Sequence, residues 1–289
     1  MIFTWNLSIT DNRKYARKNL RCLRCLTRHL KFLPFLLLLV FFGSFSSRGE
    51  LTKSGKIPAD AKVPILLYHR FGPVVADSMT VTTPVFESHL KYLREHGYTV
   101  IPLRQLVNYY LGHGRPIPDK SVVITADDGH KTVYTDMFPL IRKYHIPVTL
   151  FIYPSAISNA SYAMTWDQLK EMKKSGLVDI GSHTYWHPNF KKDRQKLSPS
   201  AYGKSVDMQL KKSKEELEKE LGSVVDMLAW PFGIYDEDLK KEAVADGYIA
   251  AFTMVRRHAG TSDDIMTLPR YLMTDREKGG VFMRLLLAK

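Results

Sequence analysis

The sequence predicts an α/β fold, a parallel sheet with helices outside it, on three observations. Seven short runs of β-branched and apolar residues recur between residues 63 and 254. Stretches with helical periodicity and helical end signals lie between several of them. About seven such units in roughly 225 residues suit a distorted (β/α)7 barrel resembling a TIM barrel, with an open doubly wound sheet as the alternative.

The strand runs are VPILLYH (63–69), YTVIP (98–102), SVVITA (121–126), PVTLFIY (147–153), LVDIGSH (177–183), VVDMLAW (224–230) and YIAAFTM (248–254). The first helix, 83–97, opens on Thr83 as N-cap, with Pro84 behind it and Gly97 at its end. The second, 133–145, contains Pro139, which predicts a kink or a late start. The third, 165–176, is capped by Thr165 and stopped by Gly176. The fourth, 205–222, carries Val206, Leu210, Leu217 and Leu221 on one face and a solvated lysine-rich face over 211–219. The fifth, 236–247, starts with acids and ends on Gly247, matching the helix dipole.

The net charge of +13 is unevenly spread. Residues 1–31 hold eight Lys/Arg and one acid, so seven of the thirteen net charges belong to this basic, cytoplasmic N-region. The pI is therefore no argument for a nucleic-acid partner. Residues 32–46 are a hydrophobic segment, read as a signal peptide or an uncleaved membrane anchor. Either way the rest of the chain is exported, to the cell envelope or beyond. Residues 47–62 read as a polar linker and 63–289 as the folded domain. Both cysteines, Cys22 and Cys25, lie in the basic region, so the exported part has no disulfide.

In a parallel α/β architecture, chemistry sits at the C-terminal ends of the strands. Asp127 and Asp128 end the run SVVITADDG there, and His183 and His187 follow another strand in GSHTYWHP. Pro188 disfavours a continuing helix, so the two imidazoles can converge from a loop. Two His and one Asp suffice for a catalytic divalent ion: Zn²⁺ suits such ligation, and Co²⁺ or Ni²⁺ also fit. The second Asp is then free to serve as a base. His69, at the end of the first strand, is a candidate general acid. In LAWPFG, a Pro-aromatic-Gly turn can aim the backbone N–H of Phe232 at an oxyanion. Trp186, between the histidines, is a candidate platform for a sugar face, with Tyr185, Trp166 and Tyr235 as weaker ones.

TADDG and HTYWH resemble the T-F-D-D-G and H-[ST]-x-x-H motifs of the polysaccharide deacetylases, the carbohydrate esterase family with the NodB homology domain, over about residues 63–275. The resemblance implies Asp127 as base, Asp128, His183 and His187 as metal ligands, and hydrolysis of N-acetyl groups to release acetate. Two departures stand out. AWPF has Ala229 where the family commonly has Arg, and no late L-x-H motif supplies a catalytic acid. ILLYHRF resembles the branch in which an early histidine takes that place, the poly-β-1,6-N-acetylglucosamine deacetylases of biofilm matrix export, which makes His69 the acid. Arg270, in LPRY, is the candidate to replace the missing Arg and orient Asp127. The rival readings are a peptidoglycan or chitin-oligomer deacetylase and a catalytically idle carbohydrate-binding module. A metalloprotease is disfavoured, since no H-E-x-x-H is present.

Overall fold

The structure, a computed structural model, describes residues 61–288. The basic region, the hydrophobic segment and nearly all of the linker fall outside the described residues. Within them, no helix is long and apolar enough to cross a membrane.

The chain begins with β1 (Ile65–Tyr68), then a small parallel pair, β2 (Arg70–Gly72) and β3 (Thr80–Thr82), leading into α1 (Thr83–Glu95). β4 (Thr99–Val100), α2 (Leu103–Tyr110) and β5 (Ser121–Asp127) follow. A π-helical turn at Val133–Met137 precedes α3 (Phe138–Tyr144), so Pro139 lies in the first turn of a late-starting helix. Next come β6 (Val148–Ile152), α4 (Trp166–Lys174) and β7 (Val178–Ser182). α5 (Phe190–Lys196), α6 (Pro199–Asp207) and α7 (Ser213–Leu221) lead to β8 (Met227–Ala229), α8 (Glu237–Ala245) and β9 (Ala250–Phe252). β10 (Tyr271–Leu272) and α9 (Gly280–Leu286) close the chain.

The main sheet runs β10-β1-β5-β6-β7-β8-β9, parallel throughout, with β4 added beside the start of β5. It curls back on itself. Leu268 forms a parallel bridge to Phe252 of β9, and three residues later Tyr271 pairs with Leu66 of β1. One short segment around Pro269 and Arg270 therefore joins both edges of a distorted barrel.

Strand side chains alternate between two cores. Ile65, Val123, Phe151, Met227, Ala229, Ala250 and Phe252 point inward. Leu66, Val122, Ile124, Leu150 and Ile152 face the outer helices. Leu103, Leu106 and Val107 of α2 join the inner cluster. Arg104 reaches from α2 to Asp226 at 2.6 Å and Asp179 at 3.3 Å, at the start of β8 and β7. α2, which the sequence reading does not contain, thus covers the end of the barrel where strands begin and leaves the other end for chemistry.

Two sequence expectations are corrected. Thr83 is the first residue of α1 rather than its cap; Thr82 holds the cap position, and its hydroxyl bonds Asp275 at 2.7 Å instead of the helix. The helix expected at 205–222 starts at Pro199 behind the Ser198 cap and is interrupted by a π-helical stretch, Met208–Lys212.

His89 fastens the C-terminal segment to β1. Its ring is 1% exposed, stacks on Phe282 of α9 at 4.1 Å, and donates through Nε2 to the Glu277 carbonyl. Nδ1 is then the acceptor for the Tyr68 hydroxyl, at 2.9 Å. The neutral ring uses both nitrogens, and burial pushes its pKa down to about 4. The unfolded chain binds this proton below about pH 6.5 and the folded chain does not. Stability is therefore intact above pH 6.5 and falls as the pH drops toward 4, by about 3 kcal/mol. Urea midpoints measured from pH 7 to 4 should show this loss, and His89→Gln should flatten that part of the profile.

Candidate active site

Asp127 is the last residue of β5, and the inward period of that strand, Val123, Thr125, Asp127, carries its carboxylate into the barrel. It is 2% exposed. Arg270, fully buried, meets it with both arms of the guanidinium, Nη1 to Oδ1 at 2.9 Å and Nη2 to Oδ2 at 2.7 Å. Arg270 also donates through Nε to the Thr253 carbonyl at 3.1 Å and through Nη1 to Thr125 Oγ1 at 3.3 Å. Burial would push the Asp127 carboxyl up; Arg270, backed by His183 and His69, reverses this and holds it below its ordinary value.

Asp128 leaves the strand in the left-handed region, φ 73°, followed by Gly129 at φ 71°. The backbone turn separates its side chain from its neighbour's. Asp128 Oδ1 lies 3.6 Å from His183 Nε2 and 3.8 Å from His187 Nε2. His183 follows β7 directly, and its Nδ1–H donates to the Ala229 carbonyl at 2.8 Å. That bond fixes the tautomer and leaves the Nε2 lone pair facing Asp128. Burial pushes the His183 imidazole down to about 3 and lowers His187 too, so both rings are neutral near pH 7. Burial also raises the Asp128 carboxyl, and Asp127 adds to this against the pull of His69 and the arginines.

His69 sits between β1 and β2, 7% exposed, with Nδ1 buried and without a hydrogen-bond partner among the described residues. Burial lowers its pKa; Asp127 and Asp128 pull it up, and Arg270 and His187 push it down. Phe232 stands at φ 57° in the turn after β8, its amide without an acceptor among the described residues and its exposed ring edge-on to His187 at 4.5 Å. On the other flank of His187 the Tyr153 ring lies 5.6 Å away, its hydroxyl bonded to that of Tyr162 at 2.8 Å. Trp186 is 45% exposed at the rim, edge-on to Tyr185. Tyr235 is also exposed and stacks on Trp230, whereas Trp166 packs against the outer core.

Asp127, Asp128, His183, His187, Arg270 and Phe232 therefore gather at the strand ends with His69 facing the two carboxylates, whereas Trp166 is not brought to them. Sequence reasoning missed Tyr153, whose strand-end position in PVTLFIY was the available signal. It also missed Gln209 and Ser213, which reach the histidine loop from a distant helix.

Comparison with known proteins identifies a domain of known family. The polysaccharide deacetylase family model matches residues 114–251. A poly-beta-1,6-N-acetyl-D-glucosamine N-deacetylase of Staphylococcus epidermidis is 28% identical over 200 residues, covering 68% of each chain. Among solved structures, IcaB from Ammonifex degensii superposes with a TM-score of 0.68 at 25% identity, over 79% of this chain and 98% of that one. Deacetylase PplD of Streptococcus pyogenes, solved in complex with acetate, gives 0.69 at 22% identity, over 78% and 98%. The chain carries a polysaccharide deacetylase domain.

The deacetylase is accordingly a hydrolase of N-acetyl groups, in a family that works with a divalent metal ion. The matched range contains Asp127, Asp128, His183 and His187; His69 and Arg270 lie outside it. The residues present fit a metal. Asp128, His183 and His187 offer ligand atoms within 4.8 Å of one another. His183 is locked in the tautomer that can coordinate, and the half-shielded Asp128 carboxylate faces two neutral imidazoles, an arrangement that a cation would balance.

Removing Arg270 leaves a buried carboxylate without its partner. Arg270→Met should destabilise the deacetylase by about 3–5 kcal/mol in urea unfolding. A change under about 1 kcal/mol would show that the pair does not hold the barrel interior together.

Proposed function

We propose that the deacetylase removes acetyl groups from an extracytoplasmic N-acetylglucosamine polymer, poly-β-1,6-N-acetylglucosamine of a biofilm matrix being the best-supported substrate, in a reaction that depends on Zn²⁺ held by Asp128, His183 and His187. One observation supports the reading: of two adjacent carboxylates, Asp127 is clamped by Arg270 and Asp128 faces two neutral imidazoles. The polymer is supported by the names of the relatives and by the early position of His69. Export is supported by the basic and hydrophobic segments ahead of residue 47, which read as a signal or membrane anchor.

The metal, when bound, acidifies water and stabilises negative oxygen. Asp127, ionised and held by Arg270, accepts a proton from the water that attacks the acetamide carbon. The Phe232 N–H donates to the oxyanion, on a backbone already fixed in the left-handed conformation. His69 delivers a proton to the departing amine. The proton is the one Asp127 takes from the water, and the charges of Asp127 and Asp128 that face His69 favour its passage through that ring. Trp186 and the ring of Phe232, exposed at the rim, offer apolar faces to the sugar units on either side. Acetate and a glucosamine unit are the products.

The test is acetate release from a β-1,6-linked N-acetylglucosamine oligomer, lost on chelation and restored by Zn²⁺, Co²⁺ or Ni²⁺. Release from peptidoglycan or chitin oligomers alone would reassign the substrate. Silence on all three would favour an idle carbohydrate-binding module. Asp127→Asn should lower kcat by roughly 10²–10⁴-fold and still bind metal. His183→Ala should lose metal affinity. Near wild-type turnover in Asp127→Asn would remove Asp127 from the role of base.

A further inference from the structure

The loop between β7 and α5 carries both histidines, and it has no regular secondary structure to hold it. The five amides from His183 to His187 nevertheless all find acceptors. The His183 amide donates to the Ile152 carbonyl at 2.8 Å, the Thr184 amide to Ser182 Oγ at 3.1 Å, and the His187 amide to Thr184 Oγ1 at 3.2 Å. The two amides between the histidines, Tyr185 and Trp186, both donate to a single atom, Gln209 Oε1, at 3.1 and 3.0 Å. Ser213 Oγ donates to the Thr184 carbonyl at 3.0 Å and lies 2.8 Å from Ser182 Oγ.

Gln209 and Ser213 come from the helix that runs from α6 into α7, and both are fully buried. Gln209 lies within the π-helical stretch Met208–Lys212 and Ser213 follows it directly, so the widened turn departs from the regular helix at both. Gln209 is an unusual residue to bury, and its Nε2 has no partner among the described residues. Its amide group thus serves the loop through the oxygen alone. Thr184 and His187 on either side of the two amides hold left-handed backbone, φ 65° and φ 61°, uncommon outside glycine and an outlier for the β-branched Thr184. An acceptor that gathers the Tyr185 and Trp186 N–H groups is what keeps that conformation.

We infer that Gln209 is a positioning residue for the metal site, setting through Tyr185 and Trp186 the spacing between His183 and His187. This rests on the reading of Asp128, His183 and His187 as metal ligands. Gln209 touches neither ligand nor reacting atoms, so its effect is on metal affinity and coordination geometry rather than on a proton transfer. Partners of this kind commonly govern affinity by roughly 10–100-fold.

The test is Co²⁺ binding to the full-length, metal-stripped protein, read by titration calorimetry and by the visible absorption of the bound ion, with the melting temperature of the metal-free protein as a separate readout. Gln209→Met keeps the length and removes the acceptor. It should weaken Co²⁺ binding roughly 10–100-fold and alter the spectrum. Gln209→Glu keeps an acceptor oxygen and discards an unpaired donor; it should stay within about threefold of wild type with the wild-type spectrum. Wild-type affinity and spectrum in Gln209→Met would overturn the inference. So would a lowered melting temperature with unchanged Co²⁺ binding, the mark of a merely structural role. If Gln209→Met does not fold, Gln209→Asn decides: withdrawing the oxygen by one methylene should weaken binding, and unchanged binding overturns the inference. A wild-type protein that binds no Co²⁺ overturns the metal reading and this inference with it.

Discussion

A carboxylate sealed inside a barrel must be matched by a positive charge in the same dry space, and the rest of the site depends on how Arg270 does this for Asp127. Burying two charges is costly unless the geometry is good and the remaining donors are used. Here the pair is bidentate, and Nε and Nη1 make further bonds to Thr253 and Thr125. Phe151 and Phe252 lie against the guanidinium, their ring centres 5.2 and 5.9 Å from its carbon. Gly181 is part of this fit, because a Cβ there would stand 2.5 Å from the Phe151 ring. Arg270 also belongs to the segment that bridges β9 and β1. Closing the barrel and orienting Asp127 are one structural event.

Backbone strain follows the chemistry. Of the six non-glycine residues with positive φ among those described, Asp128, Thr184, His187 and Phe232 are at the site. Such conformations persist only where the surroundings over-determine them. For the histidine loop the surroundings are Ser182, Thr184, Gln209 and Ser213. For Asp128 they are a fully buried strand before it and a glycine after it, packed against Ile152 and Ile157. On the proposed reading of Asp128, His183 and His187 as ligands, the hydrogen bonds around them set their geometry without an ion.

The sequence made legible what depends on local order. Strand runs, helix stops and the placement of Asp127, Asp128, His183 and His187 at strand ends are all short-range features, and the fold confirms them. Arg270 could be named only as the cation left over for a missing arginine; its two arms on Asp127 required the closure of the barrel. Gln209 and Ser213 carried no signal, because their meaning comes from a π-helical stretch that a reading of periodicity smooths into one long helix. α2 was invisible for a related reason. Its role is to plug the barrel end with Leu103, Leu106 and Val107, and a helix of eight residues beginning right after a proline lacks the cap that would announce it.

The adjacency of Asp127 and Asp128 now has a physical account. Consecutive strand residues point to opposite faces, so an unbroken β5 would have sent Asp128 outward, away from the histidines. A left-handed residue at that step ends the strand and redirects the side chain while the first carboxylate stays buried against Arg270. One carboxylate is then lowered by a fixed cation, and the other is raised by burial and by its neighbour. Two identical side chains acquire opposite electrostatic environments across a single peptide bond, and that divergence is what the proposed division into base and cation ligand requires.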